Sequence, residues 1–151
     1  MSENPDTPAE LKARALRYLA RREHSRAELA RKLSQFADSR EAVDTLLSEL
    51  QQKKQLSDER YAETRTHWLS RKYGAAKIRQ DLKAKGVADE VIGRISVENE
   101  MERARAILAR KYRQPASTRE EKAKRARFLQ SRGFSYDVVR RLLLGSDLES
   151  F

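Results

Sequence analysis

The stretch KIRQDLKAKGVADEVIGRI, residues 77–95, recurs 47 residues later in the same chain as KRARFLQSRGFSYDVVRRL, residues 124–142. Both copies contain a leucine, then a basic residue followed by glycine, then an acidic residue followed by valine. A fainter copy lies 49 residues upstream of the first, at Leu29, Leu33, Glu41, Val43 and Leu46. Repetition at this period indicates one small helical unit that the chain builds three times.

Apolar residues throughout the chain follow the spacing of an amphipathic helix. Val43, Leu46, Leu47 and Leu50, for example, follow the pattern i, i+3, i+4, i+7, and runs of alternating β-branched residues are absent. The sequence therefore predicts an all-α fold with about nine helices. The predicted helices cover residues 8–22, 26–36, 39–54, 58–72, 75–85, 88–96, 98–112, 118–132 and 136–144.

Grouped by the repeat, these helices are expected to form three tandem three-helix repeats in an elongated array that is either straight or curved. A unit of this size buries little apolar surface alone, so neighbouring units are expected to stack. The expected organisation is a flexible acidic N-terminal tail at 1–10, repeat one at 11–55, repeat two at 56–97, repeat three at 98–144 and a C-terminal tail at 145–151.

Helix starts and stops are marked by local signals. The spacing of a capping box, a hydroxyl or carboxylate three residues before a glutamate, occurs at Thr7–Glu10, Ser25–Glu28, Asp38–Glu41 and Ser117–Glu120. Ser57 and Ser135 are further candidate N-caps. Gly86, Gly133 and Gly145 each follow an apolar-periodic segment and suit the left-handed position after a helix.

The chain is strongly basic, with a net charge of +10 over 151 residues and 37% charged residues. The excess is concentrated in residues 100–144, which carry 13 bases and 5 acids. This balance predicts a polyanionic partner, either nucleic acid or an acidic protein surface.

Several classes of protein are disfavoured by composition. The absence of cysteine excludes disulfides and thiolate metal sites, and His24 and His67 lack the spacing of a zinc site. Asp58 and Glu59 adjoin at a helix start without a third ligand, so we expect no metal, no cofactor and no enzymatic activity. The N-terminus does not resemble a signal peptide and no long apolar run occurs, so we expect a cytoplasmic protein without a membrane partner.

A basic register is shared by the second and third copies of the repeat. Lys77, Lys85 and Arg94 align with Lys124, Arg132 and Arg141, whereas the first copy has Glu28, Phe36 and Thr45 there. Such a row can follow a phosphate backbone or an acidic ridge, although it can also be a solvated face. The predicted binding residues are Lys77, Arg79, Lys83, Lys85, Arg94, Lys124, Arg127, Arg132 and Arg141.

Three other basic clusters are interpreted as faces exposed to solvent and not as binding sites. They are Arg21–Arg22, Arg31–Lys32, and the group Arg103, Arg105, Arg110, Lys111 and Arg113.

The segment LSDERYA, residues 56–62, resembles the signature of the RecX family. REHSRAEL at 22–29, Trp68 with Tyr73–Gly74, and FLQSRGFS at 128–135 are similar to segments of its first, second and third repeats. The resemblance covers residues 12–144. The chain departs from a uniform pattern at Ala37, where the other repeats have glycine, and at 112–118, which reads as a plain linker.

The resemblance implies three tandem three-helix repeats and a non-enzymatic regulator of the RecA recombinase. RecX-like proteins bind the RecA–DNA filament and restrain strand exchange, co-protease function and ATP hydrolysis. The implied partners are the RecA filament and single- and double-stranded DNA, bound by a monomer. Within the signature, Ser57, Asp58 and Glu59 are expected to cap a helix, and Tyr61, Ala62 and Trp68 to be buried between repeats one and two.

Two other classes remain as alternatives. An autonomous DNA-binding module is one, because the predicted helices 75–85 and 88–96 have the outline of a helix-turn-helix. An enzyme is the other, and it lacks any nucleophile–base or metal constellation to support it.

Overall fold

A computed structural model describes residues 4–143, and within that range the chain forms nine α-helices and no β-strand. The helices are α1 Pro8–Arg21, α2 Arg26–Ser34, α3 Arg40–Gln52, α4 Asp58–Leu69, α5 Ala75–Ala84, α6 Asp89–Arg94, α7 Glu100–Lys111, α8 Arg119–Ser131 and α9 Tyr136–Leu143. The all-α prediction is confirmed, and each predicted helix is present with its ends displaced by at most three residues. Gly145 and the predicted tail 145–151 lie outside the described residues.

Contacts divide the chain into two compact units. Unit one contains the described residues up to Arg65 together with Leu82–Ile95, and unit two contains Thr66–Asp81 together with the described residues from Ser96 onward. The buried core of unit one comes mainly from α1, α2 and α3. That of unit two comes from α7, α8 and α9 and is centred on Ile107, Leu129 and Phe134. The predicted repeat boundaries, 11–55, 56–97 and 98–144, stay a prediction.

The helix starts show which local signals were correctly assigned. Thr7 and Glu10 form a reciprocal capping box, so α1 begins inside the predicted N-terminal tail. Oδ2 of Asp6 also accepts a hydrogen bond of 2.8 Å from Nε of Arg14. The caps of Ser25, Ser57 and Ser135 are confirmed by hydrogen bonds from the backbone N–H three residues later.

Two predicted caps are displaced by one residue. Ser39, rather than Asp38, accepts a hydrogen bond from the N–H of Ala42. Thr118, rather than Ser117, accepts from the N–H of Glu121. In both places two neighbouring residues can cap, and the choice depends on which of them has extended backbone when the helix packs.

His24 is a buried packing residue in unit one, with 1% of its surface exposed. Its Nδ1 lies 3.0 Å from the carbonyl oxygen of Arg22, and its Nε2 lies 2.9 Å from Nζ of Lys32. A ring that donates through Nδ1 and accepts through Nε2 is neutral. Burial lowers the pKa of His24 from its ordinary value, because the charged imidazolium would lose hydration.

We therefore expect His24 to make folding pH-dependent. The unfolded chain takes up a proton near pH 6.5 whereas the folded chain resists it, so stability is lost as pH falls below about 6.5. The slope from one proton is at most about 1.4 kcal/mol per pH unit. Urea unfolding at pH 7.5 and 5.5 should show a smaller loss in His24→Gln than in wild type. A His67→Gln variant, at an exposed position, is the control; equal losses in His24→Gln and wild type would contradict the assignment.

A specific joint connects the start of α2 to later parts of unit one. Oδ1 of Asp58 accepts a hydrogen bond of 2.8 Å from the backbone N–H of Arg26, in the first turn of α2. The hydroxyl of Ser25 donates to the carbonyl oxygen of Lys85, at 2.9 Å. Gly86 has a φ of 84°, and a Cβ there would collide with Cβ of Ala27. The signature residue Asp58 thus caps a helix other than its own.

The same joint recurs in unit two at the start of α5. Oε1 of Glu100 accepts a hydrogen bond of 2.6 Å from the backbone N–H of Ala75. The N–H of Gly74 donates to the carbonyl oxygen of Arg132, at 2.7 Å. Gly133 has a φ of 92° and lies directly against Lys77. Gly86 and Gly133 are 47 residues apart, so the sequence repeat marks a repeated joint as well as repeated helices.

The expected burial of three residues near the signature is only partly correct. Tyr61 and Ala62 are buried, with 5% and 0% of their surface exposed. The prediction for Trp68 is wrong, because 67% of its surface is exposed. Trp68 lies in the last turn of α4, in unit two, and its periodicity along that helix did not reveal which side faces solvent.

Candidate functional site

The connection between α4 and α5, residues 70–74, is fixed in unit two by three arginines from other elements. Arg103 in α7 donates to the carbonyl oxygens of Ser70 and Tyr73, at 3.0 and 2.8 Å. Arg110, about two turns farther along α7, donates to the carbonyl oxygen of Arg71 at 2.7 Å. Arg132, after α8, lies 3.4 Å from that of Lys72. These contacts satisfy backbone acceptors that a helix end and a loop would leave open.

A basic–aromatic groove lies beside this connection. Its volume is about 730 Å³, and its lining includes three aromatic residues, Trp68, Tyr73 and Phe128. Among its described lining residues no acid is present, and the five charged ones are Arg71, Lys72, Arg110, Lys111 and Arg132. A concave surface of this size can hold a small ligand or part of a polymer, and its charge favours an anion.

Three of the five cations of the basic–aromatic groove lie over its aromatic rings. The guanidinium of Arg132 lies 5.5 Å from the ring centre of Tyr73 and 5.0 Å from that of Phe128. Nζ of Lys111 lies 4.1 Å from the ring centre of Phe128, and the Arg71 guanidinium lies 5.6 Å from Trp68. These cation–π contacts restrict the bases without neutralising them, so the positive charge stays available to a ligand.

Arg103 has a structural part in this arrangement. Its side chain is only 17% exposed, and its Nη2 lies 3.6 Å from Oε1 of Glu100. Burial lowers the pKa of the Arg103 guanidinium, and the nearby Glu100 carboxylate acts in the opposite direction. The assignment of Arg103 to a solvated face is therefore wrong. In the same cluster, Arg110 and Lys111 line the groove.

Two residues of the predicted binding set adjoin this region. Nζ of Lys77 lies 5.8 Å from the ring centre of Tyr73 and 3.4 Å from the carbonyl oxygen of Ser131. Arg132 contacts the same Tyr73 ring. The structure thus brings Lys77 and Arg132 together around one aromatic residue, although they occupy different repeats in the sequence.

Three other predicted residues are engaged with acids. Arg94 forms an ion pair of 2.6 Å with Glu59. Arg141 lies 3.4 Å from Asp137, one helical turn earlier, and Lys83 lies 4.0 Å from Asp89. All six side chains are exposed, so these pairs contribute little to stability. They do reduce the positive potential that the three bases offer to a partner.

The remaining predicted residues are distributed over both units. Arg79 in α5, together with Lys124 and Arg127 in α8, is exposed in unit two. Lys85 is half-buried in unit one, where its carbonyl oxygen accepts from Ser25. The nine predicted binding residues are therefore divided between the two units and do not form one cluster.

Of the charged and aromatic residues that line the basic–aromatic groove, only Arg132 was in the predicted binding set. The residues that the prediction missed are Trp68, Arg71, Lys72, Tyr73, Arg110, Lys111 and Phe128. Trp68 and Arg71 are three residues apart, a spacing that allows contact across one helical turn. That spacing was the available local signal, but the approach of α7 to the same place is a tertiary contact.

Among residues 4–143, no helix is long and apolar enough to cross a membrane. Within the same residues, no group of three histidine, aspartate or glutamate side chains is placed to hold a metal ion.

Family models match this chain over three consecutive segments. They describe the first three-helix domain of RecX at residues 12–50, the second at 57–94 and the third at 98–143. The chain belongs to the RecX family. The order and the lengths of the three RecX domains agree with the all-α tandem-repeat fold described above.

Individual RecX proteins are similar over almost the whole chain. The regulatory protein RecX of Ralstonia nicotianae is 43% identical over 95% of this chain and 92% of its own length. That of Leptothrix cholodnii is 45% identical over 92% and 90%. A crystal structure of RecX from Lactobacillus salivarius shares the fold, with a TM-score of 0.74, 21% identity, and coverage of 95% of this chain and 97% of the other.

Proposed function

We propose that this protein is a cytoplasmic, non-enzymatic regulator that binds the RecA–DNA filament as a monomer and inhibits recombinase, ATPase and co-protease activity. The observation that carries the proposal is the match of all three RecX domains, in order, to this chain. Its relatives are named regulatory proteins, in agreement with such a role.

Charge supports a filament as the partner. The chain has a net charge of +10, and a nucleoprotein filament presents phosphates along its length. In unit two, exposed bases occur on α5 and α8, and others line the basic–aromatic groove. An extended anion can contact several of these bases at once.

Inhibition requires more than attraction. A regulator changes activity only if it binds one state of its target better than another. A protein lodged on the filament could exclude incoming duplex DNA or favour a filament state that hydrolyses ATP slowly. Either route needs the regulator to remain bound while the competing state forms.

The proposal predicts that inhibition depends on exposed bases of unit two. Reversing Lys77, Arg79, Lys124 and Arg127 to glutamate together should raise the concentration needed for half-inhibition of RecA ATPase at least about tenfold, because several phosphate contacts are lost. These four side chains are exposed, so the fold should survive. Circular dichroism and thermal unfolding check that it does.

A matched control changes the net charge by the same amount in repeat one. It reverses Arg17, Arg21, Arg31 and Arg40, which are also exposed. We expect the control to inhibit nearly as well as wild type. Equal loss of inhibition in the two folded variants would show that only net charge matters. Full inhibition by the unit-two variant would show that these four bases do not contribute to inhibition.

An autonomous DNA-binding module is the second candidate, because α5 and α6 are two short consecutive helices with the order of a helix-turn-helix. The two candidates differ in their preferred target. Affinity should be higher for RecA filaments than for naked duplex at the same salt concentration. Tight binding to one duplex sequence without RecA would favour the second candidate.

A further inference from the structure

Trp68 is the chain's single tryptophan, and its exposure calls for a physical explanation. Two-thirds of its surface is accessible at the edge of the basic–aromatic groove, although a tryptophan is normally among the more buried residues. An exposed indole beside a concave surface is typical of a binding site rather than of a core.

The charges around Trp68 point to the chemistry of its ligand. Arg71 and Lys72 follow it along the chain, and Arg110 approaches from α7. A guanidinium has five N–H donors, and the bond from Arg110 to the carbonyl oxygen of Arg71 uses one of them. Donors therefore remain for an anionic oxygen within reach of the indole.

We infer that the basic–aromatic groove binds single-stranded nucleic acid, with one base stacked on Trp68 and the adjoining phosphates on Arg71, Lys72 and Arg110. This inference deepens the proposed function, because it assigns one part of the regulator to the nucleic acid of the filament. It rests on that function only for its biological setting. Direct binding to an oligonucleotide tests it without RecA.

Single strands fit this surface better than duplexes do. A base can reach the Trp68 ring only when one of its faces is unstacked, and bases inside a duplex are stacked on both sides. Stacking on an aromatic side chain tolerates any base, and phosphate contacts carry no sequence information. The groove should therefore bind with little sequence preference and with strong dependence on salt.

An acidic protein segment is the competing occupant. Carboxylates would satisfy the same cations, yet glutamate and aspartate side chains have no planar ring to cover the indole. The combination of an exposed aromatic face with five bases and no acid in the described lining favours a ligand that is both anionic and aromatic.

The single tryptophan allows the contact to be observed directly. Titration of the full chain with a short oligothymidylate should quench tryptophan fluorescence as binding proceeds, with anisotropy of a labelled strand reporting affinity independently. A duplex of equal length, an abasic strand of equal charge and polyglutamate are the comparison ligands. The abasic strand and the duplex should bind with little quenching.

Substitutions separate stacking from charge. Trp68→Ala should weaken oligothymidylate binding about tenfold, within the range expected for one lost stacking contact, and Trp68→Phe should restore most of it. The control is Tyr136→Ala, which removes an aromatic residue of unit two that is 62% exposed and does not line the groove. Because both side chains are exposed, neither alanine variant should shift the thermal midpoint much.

The result supports the inference if oligothymidylate quenches Trp68 and Trp68→Ala binds more weakly than Tyr136→Ala. It is overturned if the strand binds without quenching, if the abasic strand binds as tightly as oligothymidylate, or if polyglutamate produces equal quenching and affinity. None of these outcomes involves RecA. Loss of oligonucleotide binding in Trp68→Ala with full inhibition of RecA ATPase would overturn the assigned part in the regulator while leaving the proposed function intact.

Discussion

Replacing Gly133 with alanine is expected to lower the free energy of unfolding by about 2–5 kcal/mol. Gly133 has a φ of 92°, a left-handed conformation that costs an L-residue about 1–2 kcal/mol. A Cβ there would lie 2.5 Å from Cβ and 2.6 Å from the backbone nitrogen of Lys77. Because backbone cannot rotate out of the way as a flexible side chain can, relieving this clash costs a further 1–3 kcal/mol or so.

Urea unfolding followed by circular dichroism measures this loss, and Gly93→Ala is its matched control. Gly93 lies in α6, and a Cβ there would meet no atom within 4 Å. Alanine has a higher helix propensity than glycine by about 1 kcal/mol, so Gly93→Ala should leave stability unchanged or raise it. If the two variants unfold at the same urea concentration, the close approach of Gly133 to Lys77 does not restrict which residue can occupy position 133.

The second large effect is expected at Glu100, where substitution by alanine should lower the free energy of unfolding by about 2–3 kcal/mol. Its carboxylate accepts from the N–H of Ala75 and lies beside the buried guanidinium of Arg103. Removing the carboxylate leaves the part-buried N–H of Ala75 without an acceptor, which costs about 1–3 kcal/mol. It also leaves the Arg103 charge without its nearest acid. The thermal midpoint and the urea midpoint should both fall.

Two further variants separate the causes of the loss at Glu100. Glu100→Gln keeps an oxygen that can accept from Ala75 but removes the charge beside Arg103, so its loss should be smaller than that of Glu100→Ala. Glu102→Ala changes an exposed acid on the same helix and should stay within about 0.5 kcal/mol of wild type. A loss in Glu102→Ala as large as that in Glu100→Ala would mean that general charge on α7, rather than the joint, stabilises unit two.

Local signals predicted the helices well because they depend on neighbours in sequence. The stripe Val43, Leu46, Leu47 and Leu50 is buried as its spacing indicates. Gly86 and Gly133 have the positive φ expected after a helix. The caps at Ser39 and Thr118 were displaced by one residue because neighbouring side chains compete for one helix end, and local sequence does not rank them.

The candidate site was harder to predict because it is assembled from distant segments. Trp68 lies in the last turn of α4 and Arg71 in the connection after it, and Arg110 comes from α7, 39 residues beyond Arg71. The basic register of the repeat identified Lys77 and Arg132 as interesting, but it could not show that both contact Tyr73. Nor could it show that Arg94 is paired with Glu59.

The sequence by itself determined the helical repeat, the glycines that end its helices and the strongly basic character of the chain. Periodicity, backbone conformation and net charge are properties of residues and their near neighbours, so they can be read along one dimension. Only the tertiary structure decided that Asp58 and Glu100 cap helices other than their own, that Trp68 is exposed, and that bases from α7 and from the residue after α8 converge beside it. These features depend on which segments meet in space, and the free energy of those contacts comes from burial and hydrogen bonding across segments that are far apart in the chain.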